Sequence, residues 1–142
     1  MNVEDLMDQL VLHEGLKLTP YRCTAGKLTI GVGRNLEDRG ITHQEAMYLL
    51  RNDVSLYMQE LMKSFPIVDR LDEVRLMTLV NMAFNLGITR LKGFKNMWSA
   101  IEDGDFERAA LEMMDSKWAL DVGKRAIVLS EQMRTGVFRS NI

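Results

Sequence analysis

The sequence predicts an α+β protein, mainly α, with a small N-terminal β-hairpin lobe and a larger C-terminal helical lobe. Two observations carry this. Apolar residues recur at helical spacing through most of the chain, whereas between Lys17 and Leu36 the period changes to strand formers gathered around a turn. With 142 residues, 46% of them hydrophobic and 27% charged, the chain makes one globular domain, 1–142, or two small lobes sharing a helix. The division expected is 14–42 for the hairpin lobe, with 1–13 and 43–142 forming the helical lobe.

Val3, Leu6, Met7, Leu10 and Val11 share one helical face, and Gly15 follows as a stop signal, so the first helix is expected over 3–13. Tyr21, Leu28, Thr29, Ile30 and Val32 favour strands, and Thr24-Ala25-Gly26 supplies the turn between two arms. Thr42-His43-Gln44-Glu45 matches a capping box. The helix behind it places Ala46, Leu49, Leu50, Leu56, Tyr57 and Leu61 on one face and ends near Ser64, before Pro66. From Leu71 to Leu86 the chain is apolar nearly all round, as in a helix buried at the centre of a bundle, and Gly87 ends it. Shorter helices are expected around Phe94–Ile101, Phe106–Asp115 and Lys124–Met133. The eleven methionines mostly fall at helical core spacing, as filler.

Composition excludes several classes. The formal net charge is -2 with the two signs interspersed, so no basic stripe argues for nucleic acid. The single cysteine forms no internal disulfide, which leaves Cys23 as packing or chemistry. Glu4, Asp5 and Asp8 stand where a signal peptide would be basic and then apolar, and no apolar run of about 18 residues occurs. His13 and His43 lack the spacing of a metal site, so neither metal nor cofactor is expected. Gly31-Val32-Gly33 is not a phosphate loop, because Leu36 occupies the third glycine position.

The candidate chemistry lies in HEGLKLTPYRCTAGKLTIGVGR. Glu14 closes the first helix at the negative end of its dipole, which disfavours the charged carboxylate, and Leu10, Leu16 and Leu18 are expected to shield it from water. A carboxyl that stays protonated near neutrality suits a general acid for a glycosidic oxygen; otherwise Glu14 is a solvated surface residue. Cys23 and Thr29, on the two arms of the hairpin, are reactive groups or a small buried hydrophobe and a strand residue.

Eight residues separate Glu14 from Cys23 and five separate Cys23 from Thr29. That spacing resembles the motif of the phage-type lysozymes, the endolysin muramidases of glycoside hydrolase family 24, in which a Glu is followed by an Asp or Cys and then a Thr. EGL at Glu14–Leu16, Tyr21 before the cysteine and TIGVG at Thr29–Gly33 extend the likeness. LDEVRLMTLVNMAFNLG resembles the family's central helix, and GFKN with its Phe94, SKWALDVGKRA and MRTGVF resemble later segments, so the resemblance covers nearly the whole chain.

The resemblance implies a lysozyme-like fold with the active-site cleft between the lobes, and catalytic roles for Glu14, Cys23 and Thr29. It implies supporting or substrate-binding roles for Arg125, facing the catalytic glutamate, and for Asn85 and Phe94. Arg34 stands where the family often has a histidine paired with a helix acid, and Asp53 in RNDV is the matching acid, so an Arg34–Asp53 pair is expected to tie hairpin to helix. Asn81, one turn before Asn85, is a cleft residue or a helix amide satisfied locally.

Three departures bear on function. Cys23 replaces the commoner Asp and supplies a thiol, mostly uncharged at neutrality unless its surroundings lower its pKa. The segment Leu36–Thr42 is short where larger relatives insert a helix. The chain is slightly acidic where many relatives are basic, although Arg22, Lys27, Arg34, Lys124 and Arg125 offer local positive potential.

The function expected from the resemblance is hydrolysis of the β-1,4 bond between N-acetylmuramic acid and N-acetylglucosamine in bacterial peptidoglycan, for host cell lysis. The alternatives are a lytic transglycosylase giving 1,6-anhydro products, or a non-catalytic cell-wall-binding module. The expected partner is peptidoglycan, with no nucleic acid and no stable membrane association, for a monomer. Location is the host bacterial cytoplasm and then, after holin-dependent release, the periplasm and cell wall.

Overall fold

A computed structural model of the chain describes residues 1–139. The chain divides into two compact units, Met1–Leu49 and Leu50–Ile142. The first begins with helix α1 (Val3–Glu14), capped by the Asn2 side chain, which accepts from the Asp5 N–H. Residues 1–13 fall in the same compact unit as the sheet.

Strands β1 (Lys17–Arg22), β2 (Leu28–Gly31) and β3 (Arg34–Asn35) form an antiparallel sheet in the order β1-β2-β3. Tyr21 pairs with Thr29, and Thr29 in turn with Asn35. The register of β1 slips between Lys17 and Tyr21, where Pro20 offers no N–H to the ladder, an irregularity tolerated because β1 is an edge. The turn is the expected one: Cys23 O accepts from Gly26 N at 2.8 Å and Cys23 N donates to Lys27 O at 3.0 Å. Gly26, at φ +79°, takes the left-handed position such a hairpin needs.

The short segment after the sheet holds one helical turn, α2 (Leu36–Arg39), capped by Asn35 Oδ1 from the Asp38 N–H. Glu37 on α2 accepts from the Leu28 N–H at 2.9 Å and from Arg22, so this turn clamps the hairpin.

Helix α3 (His43–Ser64) starts with the expected capping box: Thr42 N donates to Glu45 Oε1 at 2.8 Å and Glu45 N to Thr42 Oγ1 at 3.1 Å. The apolar face expected along all of α3 is realised mainly from Tyr57 onward. Leu61 is buried and Tyr57 half-buried, whereas Leu49, Leu50 and Leu56 remain exposed.

After a 3-10 turn at Pro66–Arg70 the second unit continues with α4 (Glu73–Leu86), α5 (Ile88–Lys92), α6 (Lys95–Glu102), α7 (Phe106–Met114), α8 (Lys117–Val122) and α9 (Lys124–Thr135). Its core brings together Leu79, Met82 and Ala83 of α4, Leu91, Met97, Ile101, Met113, Trp118, Leu129 and Met133. The central helix is not buried all round as its composition suggests: Leu79, Met82 and Leu86 face the core while Met77 and Phe84 stay exposed. Buried polar groups are paired, as where Gln132 Nε2 donates to Thr78 Oγ1 at 3.1 Å.

Candidate active site

Glu14, Cys23 and Thr29 all belong to the first unit. Glu14 is the last residue of α1, and the chain passes through Gly15 directly into β1, so its side chain emerges beside the sheet. The carboxylate rests on the turn between β2 and β3, where a Cβ added to Gly33 would lie 3.5 Å from Glu14 Oε2. The apolar shield expected around it is not formed. Glu14 is exposed, as are Leu10 on α1, Leu16 just before β1 and Leu18 on the irregular edge strand β1.

Cys23 is a free, half-buried thiol at the first corner of the hairpin turn. Its pKa is lowered from the ordinary thiol value, first by the backbone N–H of Lys27 and then by that of Ala25, with burial opposing and the Thr29 hydroxyl adding to the shift. Thr29 is 3% exposed, and its hydroxyl donates to Lys27 O at 2.8 Å. A hydroxyl has one proton, so it serves either that carbonyl or the Cys23 thiolate. The hairpin therefore joins Cys23 and Thr29 in one hydrogen-bonded group, and Glu14 meets the same sheet at Gly33.

Arg34 does not pair with Asp53. Its Nη1 donates to Glu45 Oε1 at 2.8 Å and to Gly40 O at 3.2 Å. Glu45 lies in the first turn of α3, beside the short connection from the sheet, whereas Asp53 is two turns later, about 12 Å further along the helix axis, and exposed. The mutual effect is large on one side: hydrogen bonds from Arg34 and from the Thr42 backbone lower the Glu45 pKa to about 2, and the Glu45 hydrogen bond raises that of Arg34.

In the second unit Asn85 accepts from the Trp118 indole N–H at 2.8 Å, and Phe94 meets Trp118 edge-on with centroids 6.1 Å apart. Arg125 is half-buried, and its Nε and Nη2 donate to Asn81 Oδ1 at 3.0 and 2.7 Å. Glu45, Trp118 and the Arg125–Asn81 pairing are the participants that sequence reasoning missed. Only Glu45 had a local signal, the capping box.

A helical chain with this small antiparallel sheet near its start has the α+β architecture of the lysozyme-like proteins. The family model for phage lysozyme matches residues 11–134, and the chain belongs to that family. A probable T4-type lysozyme of Dictyostelium discoideum is 26% identical over 166 residues, covering 96% of this chain and 98% of the relative. An endolysin of Acyrthosiphon pisum secondary endosymbiont phage 1 is 27% identical over 136 residues, 90% of either chain. The pre-baseplate central spike protein of Enterobacteria phage T4 is 28% identical over 164 residues, 95% of this chain but 28% of that protein. The chain is a glycosidase of the lysozyme type, a cell-wall hydrolase.

Proposed function

We propose that the protein hydrolyses the β-1,4 bond between N-acetylmuramic acid and N-acetylglucosamine in bacterial peptidoglycan, with Glu14 as general acid. The observation that carries this is the family match over 11–134, a stretch that contains Glu14, Cys23 and Thr29, on a hairpin where the Cys23 N–H and the Thr29 hydroxyl both donate to Lys27 O.

Glu14 gives its proton to the leaving glycosidic oxygen as the C1–O bond breaks. A water held by the Thr29 hydroxyl and the Cys23 sulfur adds to C1 from the opposite face, and its proton passes to the thiolate. The anomeric configuration inverts. A thiolate at Cys23 also stabilises the oxocarbenium-like charge, and a lowered pKa makes more of it available near neutrality. Within the second unit, Asn85 and Phe94, joined through Trp118, offer a polar and aromatic surface to a glycan, and Arg125 offers it a positive charge.

The proposed role is host lysis at the end of a phage cycle, a bacteriolytic action by a monomer that reaches the wall through a holin-type pore. The similarity to the T4 spike protein supports a second setting, a cell-wall module carried on a virion.

Mass spectrometry of products from purified peptidoglycan, with Glu14→Gln in parallel, tests this. Reducing-end muramic acid is expected from the parent and a loss of at least ~100-fold from the variant, the scale of a missing general acid. Anhydromuramic acid would mean a lytic transglycosylase, and binding without soluble product a recognition module. Undiminished cleavage by Glu14→Gln would overturn the role of Glu14.

A further inference from the structure

The Lys27–Leu28 peptide joins two side chains of the candidate site. Its carbonyl accepts from the Cys23 N–H at 3.0 Å and from the Thr29 hydroxyl at 2.8 Å. A peptide is planar, so whatever holds the N–H on its other edge also aims that carbonyl. The holder is a carboxylate: the Leu28 N–H donates to Glu37 Oε1 at 2.9 Å. Strand β3 ends at Asn35, opposite Thr29, and gives Leu28 no ladder partner on that side; Glu37, two residues further on, takes the place.

The same oxygen accepts from Arg22 Nη1, which also donates to Gly26 O at 3.2 Å. Arg22, Gly26 and Leu28 bracket the turn that carries Cys23, and one carboxylate connects all three. The Arg22 and Glu37 side chains are 65% and 38% exposed, where an ion pair adds little to stability. What the arrangement fixes is direction. A charged acceptor on the N–H also polarises the peptide and strengthens its carbonyl as an acceptor for Thr29. Lys27 Nζ, 3.4 Å from Asp38 Oδ1, is tied only by its side chain, which leaves the peptide plane free.

We propose that Glu37 is a positioning residue for the reaction: through the Lys27–Leu28 peptide it sets where the Cys23 thiol and the Thr29 hydroxyl stand relative to one another. This rests on the hydrolase reading above, in which the two hold the attacking water. All of these groups belong to the first unit. The thiol reports the same geometry, since the Lys27 N–H is the first cause of its lowered pKa and the Thr29 hydroxyl adds to it. The charged side chains paired at this turn are Arg22 and Lys27 with Glu37 and Asp38, while Glu14 meets the sheet at Gly33. Removing the Glu37 charge by itself favours the thiolate and lowers its titration midpoint, whereas loss of the hydrogen-bond geometry raises it.

The test uses Glu37→Ala, Glu37→Gln and Asp38→Asn in the full chain. Three quantities are read: cleavage of purified peptidoglycan, the melting temperature, and the pH midpoint of Cys23 alkylation by iodoacetamide, which needs no substrate. Glu37→Ala is expected to lose on the order of 10- to 100-fold in kcat, the scale of a misplaced reacting group, with KM and melting temperature unchanged and the midpoint moved up. Glu37→Gln keeps an oxygen that accepts from the Leu28 N–H, so it should stay near the parent, as should Asp38→Asn. Should Glu37→Ala melt lower, Glu37→Asp decides: it keeps the charge one methylene short of the N–H, and the same loss and upward midpoint are required of it. The parent's kcat, or a midpoint unmoved or lowered, overturns the inference. So does a rise in KM alone, which makes Glu37 a glycan contact, or an equal loss from Asp38→Asn or Glu37→Gln. Glu14→Gln alongside keeps the two readings apart: undiminished cleavage there removes the role of Glu14, whereas an inactive Glu14→Gln beside an unimpaired Glu37→Ala removes only this one.

Discussion

Glu45 Oε1 accepts two hydrogen bonds, one from Arg34 Nη1 and one from the Thr42 backbone N–H, each at 2.8 Å. One carboxylate oxygen thus closes the capping box of α3 and fastens β3 to it. The short connection between them has no hydrophobic core, since the first unit buries no large apolar side chain among the described residues. Polar ties of this kind carry more of the local order than they would inside a bundle.

The Glu45 carboxyl titrates near 2 in the folded chain, against an ordinary value of 4.5. Its folded pKa is depressed, so its contribution is fully present above about 4.5 and is lost as pH falls toward about 2, where the unfolded chain binds the proton first. Thermal melts of the parent and Glu45→Gln across that window should converge as pH falls, the variant starting lower at neutral pH. Parallel pH dependences in the two proteins would show that the tie contributes nothing.

The thiol offers a second prediction. Backbone N–H groups of Lys27 and Ala25 favour the thiolate of Cys23, so its alkylation by iodoacetamide should reach half its limiting rate at a lower pH than an ordinary thiol. Thr29→Val removes the hydroxyl that adds to this effect and should move that midpoint up. Alkylation is expected to abolish cleavage, and Cys23→Asp to support it with a changed pH profile. If Cys23→Ala cleaves as fast as the parent, the cysteine is packing alone.

The local grammar of this chain was legible in its sequence. Thr42 and Glu45 stand three apart before an apolar run and form the capping box expected of them, and Gly26 sits in the hairpin turn assigned to it. Long-range pairing was not legible. Helix α3 offers Arg34 both Glu45 and Asp53, and spacing alone does not choose between them; the choice follows from how short the connection is after α2. Asn81 meets Arg125 and Asn85 meets Trp118 across large sequence separations, and no periodicity encodes such pairs. The exposed leucines of α1 and α3 show the limit of amphipathic patterns: they mark a face as apolar without saying what covers it.

Trp118 is 2% exposed and its indole N–H has Asn85 Oδ1 as its acceptor. Asn85→Leu removes that acceptor and leaves a buried donor unpaired, a cost of about 1–3 kcal/mol. Adding Trp118→Phe removes the donor as well, so the double variant should lose less than the sum of the two single changes. Additive losses in urea denaturation would mean that the hydrogen bond has no energetic weight.

Arg75 anchors the far end of α9. Its Nε donates to Met133 O at 2.6 Å and its Nη2 to Arg134 O at 2.9 Å, carbonyls that the helix end leaves unpaired. Nη1 pairs with Asp72 at 3.0 Å, and the guanidinium lies 3.8 Å over the Phe106 ring. A lysine has one charged atom and cannot reach these partners together, so Arg75→Lys should cost about 2–3 kcal/mol despite keeping the charge. Gly136 follows the helix at φ +71°, and a Cβ there would meet Arg75 Nη1 at 3.1 Å. Gly136→Ala therefore has two costs, about 1–2 kcal/mol for the left-handed backbone and a further part for the contact. In an Arg75→Ala background the contact is gone, so Gly136→Ala should cost less there than in the parent. Equal costs in both backgrounds, measured by denaturant titration, would show that the arginine moves aside freely and does not clamp the helix end.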